Sequence, residues 1–357
     1  MKYKYSTTNK FIKNKNVNQK KNINSKCDKS NPYNIIPYKN INADKNKYIS
    51  LFDFVHTYND LYYIIYTIDL EGIVFFNLLD NKIVVKIKKP HDERIIKIKH
   101  YFDKNNNRDL LASYCYNKII KLWNINIMEC IAEIDLLSSF GHIFLNSLFF
   151  MNLRNQLYII APFCFELNYE ILVFYNLKGI KTKEIKIKTY NVFDTNYYYD
   201  QKAKKNYIFF CGFGFVKSFD FNKNNIYKIY CNNEGIHNDK VAIYDKDKKI
   251  KLISSGEGIV RIWNFHSGDL LNKLKIYNNR FELPKICIWN SDYLIGACEE
   301  HGLKIFDFKN ENIPQVMPGF GDCSCVKKII LPIYGESLLV LSEANNIRYL
   351  CIAINKK

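Results

Sequence analysis

The chain alternates short apolar runs with polar turns over most of its length. One such stretch, Ile253 to Tyr277, reads ISSGEGIVRIWNFHSGDLLNKLKIY, with aliphatic runs separated first by Glu-Gly and then by Ser-Gly. Short β-branched and aromatic runs bounded by glycine turns predict antiparallel strands. We therefore expect this stretch to belong to the last three of four consecutive strands, which run over Val241–Asp245, Ile250–Ser255, Ile259–Asn264 and Leu270–Tyr277.

The same order of residues returns elsewhere at a regular interval. It is clear in SYCYNKIIKLWNI, CGFGFVKSFDF and EEHGLKIFDF, and weaker in three further segments. Each copy has one large apolar anchor, and the anchors are Phe76, Trp123, Tyr175, Phe219, Trp263, Phe306 and Leu350. Their separations are 47, 52, 44, 44, 43 and 44 residues. A period near 44 across seven anchors predicts a repeat architecture.

These repeats resemble the WD40 family, from about Asn31 to the last residue. Trp-Asn or Phe-Asp stands in place of the family's Trp-Asp, and Gly141-His142 matches its Gly-His pair. The resemblance implies an all-β protein, a seven-bladed β-propeller of four-stranded antiparallel blades over residues 31–357. Because the last repeat stops shortly after its third strand, we expect Asn31 to Ile41 to supply the missing outer strand and close the ring.

The resemblance also implies a hydrogen-bonded relay within a blade, formed by His, a second-strand Ser, a turn acid and the Trp. The best match is His237, Ser255 or its neighbour Ser254, Glu257 and Trp263. The second match is His91, Ser113, Asn117 and Trp123.

Charge is unevenly distributed along the chain. The formal net charge is +17, and residues 1–48 hold 12 Lys against Asp28 and Asp44, so 12 − 2 = +10 of it lies there. Such a segment buries too little apolar surface to offset its ordering entropy, so residues 1–30 are predicted to be a disordered tail. Clustered lysine attracts phosphate backbones, although compositional drift accounts for the same sequence.

The turns between second and third strands are predicted to place acidic residues on one face of the ring, called the upper face below. The candidate partner-binding residues are Glu257, Glu299, Glu300, Glu343 and Glu166. Convergent carboxylates attract cations, which favours a protein partner with a Lys- or Arg-bearing segment. The opposite, lower face is predicted to be basic, from segments that include DQKAKK and LKGIKTK.

Sequence signatures of catalysis are missing: there is no Gly-x-Ser-x-Gly, His-Glu-x-x-His or Walker motif. Cys298 and His301, with Cys323 and Cys325 nearby, are interpreted as ordinary thiols and a surface histidine. We expect a non-enzymatic scaffold for protein complexes, with no cofactor, metal, membrane or small-molecule substrate.

Two alternatives remain open. One is a ribonucleoprotein or ribosome-assembly factor that contacts RNA through the tail and the lower face. The other is a hydrolase that uses the acidic rim. Eleven scattered cysteines and no signal peptide favour the cytoplasm, with the nucleus as the alternative.

Overall fold

The structure is a computed structural model of the full chain. It describes residues 33–42, 49–57, 59–136, 144–145, 147–153, 155–165, 169–188, 192–238, 240–246, 249–275, 285–289, 293–298, 302–307, 315–317, 323–332, 335–342 and 346–354. The compact unit runs from Ile35 to Ile352. A second, small unit comprises residues 1–34 and 353–357, of which only four residues are described. The predicted tail, residues 1–30, lies outside the described residues.

The described chain folds into seven consecutive antiparallel sheets, the blades of a propeller. No described helix is long and apolar enough to cross a membrane. Four blades have their four strands in chain order. Blade 1 contains strands β2 (Ile49–His56), β3 (Tyr62–Ile68), β4 (Gly72–Asn77) and β5 (Lys82–Lys88), since β1 (Tyr33–Asn42) belongs to blade 7. Blade 2 contains β6 (Ile95–Asp103), β7 (Arg108–Cys115), β8 (Ile119–Asn124) and β9 (Glu129–Asp135). Blade 5 contains β18 (Lys240–Lys246), β19 (Lys249–Gly256), β20 (Ile259–Asn264) and β21 (Leu270–Lys275); blade 6 contains β22 (Lys285–Ile288), β23 (Tyr293–Cys298), β24 (Gly302–Asp307) and β25 (Gln315–Met317).

Blade 3 has a divided first strand. β10 (Phe144–Leu145) and β11 (Phe149–Leu153) pair in turn with β12 (Gln156–Phe165), which is followed by β13 (Tyr169–Tyr175) and β14 (Lys181–Lys188). Pro162 lies in β12 opposite Leu172, but on its other side it falls at the gap between β10 and β11. The gap explains how a central strand accommodates a residue without an N–H.

Blade 4 consists of β15 (Val192–Asp200), β16 (Lys205–Asp220) and β17 (Asn225–His237). Its long strand β16 folds back on itself, because Phe221 N, just after its end, donates to Asn206 O near its start at 2.9 Å. Gly214, with φ of 81°, supplies the left-handed residue at the reversal. Blade 4 therefore also has four strand segments, and CGFGF is a hairpin turn.

Blade 7 closes the ring with a strand from the start of the described chain. The order in this sheet is β1 (Tyr33–Asn42), β28 (Asn346–Ile354), β27 (Gly335–Ser342) and β26 (Cys323–Leu331). The predicted closure by the segment around Asn31–Ile41 is thus confirmed for its described part. It pairs the outer edge of β28, which would otherwise expose unpaired backbone groups.

Apolar clusters hold neighbouring blades together. Buried residues of blades 1 and 2, 2 and 3, 3 and 4, 4 and 5, and 5 and 6 share clusters, and Ile329 and Leu331 of blade 7 pack on blade 1. Blade 7 also contacts blade 6, where Lys328 Nζ lies 4.9 Å from the Trp289 ring centroid. Six of the seven predicted anchors are buried, and the side chain of Leu350 is outside the described residues.

Candidate functional site

Three of the four residues predicted for the relay of blade 2 are joined by hydrogen bonds. His91 Nε2 and Ser113 Oγ are 2.7 Å apart, and Trp123 Nε1 donates to the same Ser113 Oγ at 2.9 Å. Trp123 reaches Ser113 because Leu111 pairs directly with Trp123 and Ser113 lies two residues further along the same face of β7. The Asn117 side chain makes no hydrogen bond in this relay. The three groups join the loop before β6 to the two central strands.

Burial keeps His91 neutral. It is 5% exposed, and burial together with the nearby Lys121 lowers its pKa to about 4, against a smaller opposing effect of Asp92. A neutral imidazole at physiological pH suits a structural hydrogen bond to a buried hydroxyl. The relay therefore fixes the blade rather than presenting an exposed acid or base.

The relay of blade 5 uses Ser254, which corrects the choice of Ser255. Trp263 Nε1 donates to Ser254 Oγ at 3.1 Å. Trp263 pairs with Leu252, so Ser254 shares its face of the sheet while Ser255 points to the other face. The backbone of His237 ends β17, and its side chain is outside the described residues.

Strand order defines the two faces of the ring. In an antiparallel blade the turn between the second and third strands lies at one end, the upper face, and the other two turns lie at the opposite end, the lower face. Of the five predicted upper-face residues, only Glu257 is described; Glu166, Glu299, Glu300 and Glu343 lie outside the described residues. Glu257 lies in the β19–β20 turn with a left-handed φ of 52°. Its backbone conformation is therefore part of the chain reversal between these two strands.

Other acids of the described upper face have basic neighbours. Asp69 Oδ1 lies 3.3 Å from Arg94 Nε, and Glu71 Oε2 lies 2.9 Å from Lys86 Nζ. Each side chain in these two pairs is between 28% and 40% exposed. Asp69 Oδ1 and Arg94 Nε are themselves buried, whereas the Glu71–Lys86 pair is partly exposed. Because exposed ion pairs contribute little stability, a basic group can compete for the Glu71 carboxylate.

Two aspartates of the inner strands bridge neighbouring blades, and the sequence analysis missed both. Asp53 Oδ2 accepts from His100 N of blade 2 at 3.3 Å, and its Oδ1 contacts Lys327 Nζ of blade 7. Asp194 of blade 4 accepts from Val241 N of blade 5 at 3.2 Å in the same way. A shared Phe-Asp dipeptide, at residues 52–53 and 193–194 in β2 and β15, was the available signal.

The lower-face turns of blades 3 and 4 are basic, and the aspartates at the turns of blade 4 are withdrawn into them. Asp200 Oδ1 accepts from the backbone N of Lys202 and Ala203, and Asp220 Oδ1 accepts from those of Asn222 and Lys223. Both aspartates are buried, whereas the lysines of the neighbouring turns and strand starts are exposed: Lys178, Lys181, Lys183, Lys202, Lys204 and Lys223. This agrees with the basic segments predicted from the sequence.

No family model matches the chain, and no curated protein matches it. Among the described residues no group of three or more His, Cys, Asp or Glu side chains is placed to hold a metal ion.

Proposed function

We propose that this chain is an interaction platform, a ring whose turns bind partner molecules, and not an enzyme. The β-propeller fold is consistent with a protein-interaction scaffold, and fold alone leaves the partner open. The observation that carries the proposal is the division of charge between the faces. Carboxylates occupy the upper-face turns of blades 1 and 5, at Asp69, Glu71 and Glu257, whereas exposed lysines line the lower-face turns of blades 3 and 4.

The roles of the buried ionisable groups support the same proposal. His91 is committed to the blade 2 relay, and His100 Nε2 lies 2.9 Å from the Asp109 carboxylate between two strands of one blade. Asp53 and Asp194 join blades, and Asp200 and Asp220 hold turns. These groups are engaged in structural contacts.

The proposal extends to the type of repeat. The Trp-to-Ser hydrogen bonds of blades 2 and 5, together with the His91 contact, correspond to the relay that the WD40 resemblance implies. Four-stranded blades and closure by an N-terminal strand support the same assignment.

For the upper face we propose a protein partner with a Lys- or Arg-bearing segment, bound by Glu257, Glu299, Glu300, Glu343 and Glu166. Convergent carboxylates raise the encounter rate with such a segment and favour it over acidic partners. This site would assemble a complex in the cytoplasm or nucleus.

The test is affinity purification from native cells with nuclease treatment, comparing the intact chain with a variant that carries Glu257→Lys, Glu299→Lys, Glu300→Lys and Glu343→Lys. Glu129→Lys with Glu133→Lys, on the outer strand of blade 2, controls for the general change in charge. We expect the same protein partners with and without nuclease, and their loss only from the upper-face variant. Unchanged recovery by that variant removes the upper-face site, and loss on nuclease treatment favours the RNA-assembly alternative.

A further inference from the structure

Two adjoining cavities open among the lower-face turns of blades 2, 3 and 4. Their volumes are about 610 and 570 Å³, and Asn206 and Asn222 line both. The first is lined by Leu153, Gln156, Tyr158, Phe174, Thr182, Lys183, Asn206, Phe221, Asn222 and Asn224. The second is lined by Tyr101, Asn152, Asn155, Tyr197, Tyr199, Lys204, Asn206 and Asn222. We call the two together the asparagine groove.

The described lining combines aromatic rings, carboxamides and lysines, and no carboxylate is among these residues. Several amide oxygens are already used within the protein. Asn222 Oδ1 accepts from Asn206 N at 3.0 Å, Asn206 Oδ1 from Tyr197 OH at 2.7 Å, and Gln156 Oε1 from Tyr158 OH at 2.6 Å. The NH₂ groups of Asn206, Asn222 and Gln156 are the donors that remain on these side chains, so the groove favours a ligand rich in hydrogen-bond acceptors.

Each cavity has one lysine. Lys183 Nζ lies 4.6 Å from the Phe221 ring centroid and 5.9 Å from that of Phe174, and Lys204 lies in the exposed turn before β16. Among the described residues the neighbouring lysines form ion pairs, Lys181 with Glu184 and Lys205 with Asp220, but neither Lys183 nor Lys204 does. Their charges are therefore available to an anionic ligand.

Aromatic surface lies next to these charges. Tyr199 is 44% exposed, and Tyr101, Tyr158, Tyr197 and Phe221 are partly exposed. Proteins that bind single-stranded nucleic acid use this combination of groups. Bases stack on the rings and hydrogen-bond to the amides, while lysines contact the phosphates. An acidic peptide would use the lysines but has no flat groups for the rings.

We propose that the asparagine groove binds single-stranded RNA, with at least one nucleotide in each cavity. Tyrosine hydroxyls can both donate and accept, and the amide NH₂ groups donate, which matches the ribose 2′-hydroxyl and favours RNA over DNA. A duplex is excluded because its bases are stacked and paired. This site is additional to the upper-face protein site and does not depend on it.

The test measures binding of a fluorescent mixed-sequence 12-nucleotide RNA to the purified full chain at two salt concentrations. The groove variant carries Lys183→Glu and Lys204→Glu. The control variant, Lys273→Glu with Lys275→Glu, makes the same charge change on the exposed outer strand of blade 5. A third variant, Tyr199→Ala, removes an exposed ring without changing charge, and thermal melting checks that each variant is folded.

We expect the groove variant to weaken RNA binding at least tenfold and the control less than twofold, with Tyr199→Ala giving an intermediate loss. Ultraviolet cross-linking followed by mass spectrometry should identify peptides between residues 197 and 224. Equal losses in the groove and control variants would overturn the site, because binding would then follow net charge and the tail lysines. Equal affinity for DNA of the same sequence would overturn the preference for RNA, and groove-dependent binding of an acidic peptide without RNA binding would assign a protein ligand instead.

Discussion

Blades 2 and 4 differ in the buried side-chain hydrogen bonds that connect each blade to its neighbouring segments. In blade 2 a single hydroxyl, Ser113 Oγ, contacts both His91 and Trp123, so the loop before the blade and its two central strands meet at one atom. In blade 4 the anchor is Phe219, whose ring has no polar group that needs a hydrogen-bond partner. There Tyr230 OH lies 3.2 Å from Ser218 Oγ and donates to Phe265 O of blade 5 at 2.8 Å.

The difference lies in how many buried groups depend on one partner. In blade 2 two buried ring nitrogens share one serine, whereas in blade 4 the tyrosine hydroxyl has two partners and keeps one if the other is lost. A buried polar group without a partner costs more than a hydrogen bond contributes. Blade 2 should therefore be the more sensitive to loss of its serine.

The largest effect is expected from Ser113→Ala. It leaves His91 Nε2 and Trp123 Nε1 buried without their hydroxyl, at about 1–3 kcal/mol for each group, so we expect a loss of about 3 kcal/mol in the free energy of unfolding. Urea unfolding followed by tryptophan fluorescence measures it, provided that the slope with denaturant is unchanged. A loss of unfolding free energy below about 1 kcal/mol would show that water replaces the serine hydroxyl and that the relay contributes little to the stability of the blade.

Acidification should destabilise blade 2 by an amount between the effects of the two serine substitutions, Ser113→Ala and Ser218→Ala. The pKa of His91 is about 4 in the folded protein and near 6.5 in the unfolded chain, so protonation favours unfolding. Stability from this residue is complete above about pH 6.5 and is lost as the pH falls towards 4, by about 2 kcal/mol at pH 4.5. Blade 4 offers no counterpart, because burial raises the pKa of Tyr230 far above this range.

The measurement compares unfolding free energies of the parent protein and His91→Gln at pH 7 and pH 4.5. The parent should lose about 2 kcal/mol more than the variant, since glutamine does not titrate in this range. Parallel losses in the two proteins would mean that carboxylates alone determine the acid sensitivity.

The smallest effect is expected from Ser218→Ala, the blade 4 counterpart of the first substitution. Tyr230 OH keeps Phe265 O as its acceptor, so we expect a loss of about 1 kcal/mol or less. The same urea experiment applies. A loss equal to that of Ser113→Ala would remove the distinction between the two blades.

Much of the architecture was predictable from the chain, because spacing and periodicity are local properties. The predicted Ile259–Asn264 strand matches β20, and the two strands before it in blade 5 are each one residue longer at both ends than predicted. The choice between Ser254 and Ser255 was not determined by spacing alone. Strand register decides it, since a shift of one residue moves a side chain to the other face of the sheet.

The candidate sites were harder to predict, because they combine residues from separate blades. The upper-face acids could be listed from turn positions, but four of the five lie outside the described residues. The asparagine groove joins Tyr101, Asn152, Lys204 and Asn222, which come from three blades, and asparagine is so frequent in this chain that no single one stands out. Asp53 and Asp194 were detectable only by comparing inner strands with one another.

Ring closure also constrains the order in which the protein can fold during synthesis. β1 ends at Asn42, yet the strand it pairs with begins at Asn346. While the ribosome makes the six intervening blades, β1 has no partner strand and its backbone groups remain open to other chains. The pairing with the greatest sequence separation is thus the last to form, and nascent chains of this protein should depend on chaperones until β28 emerges.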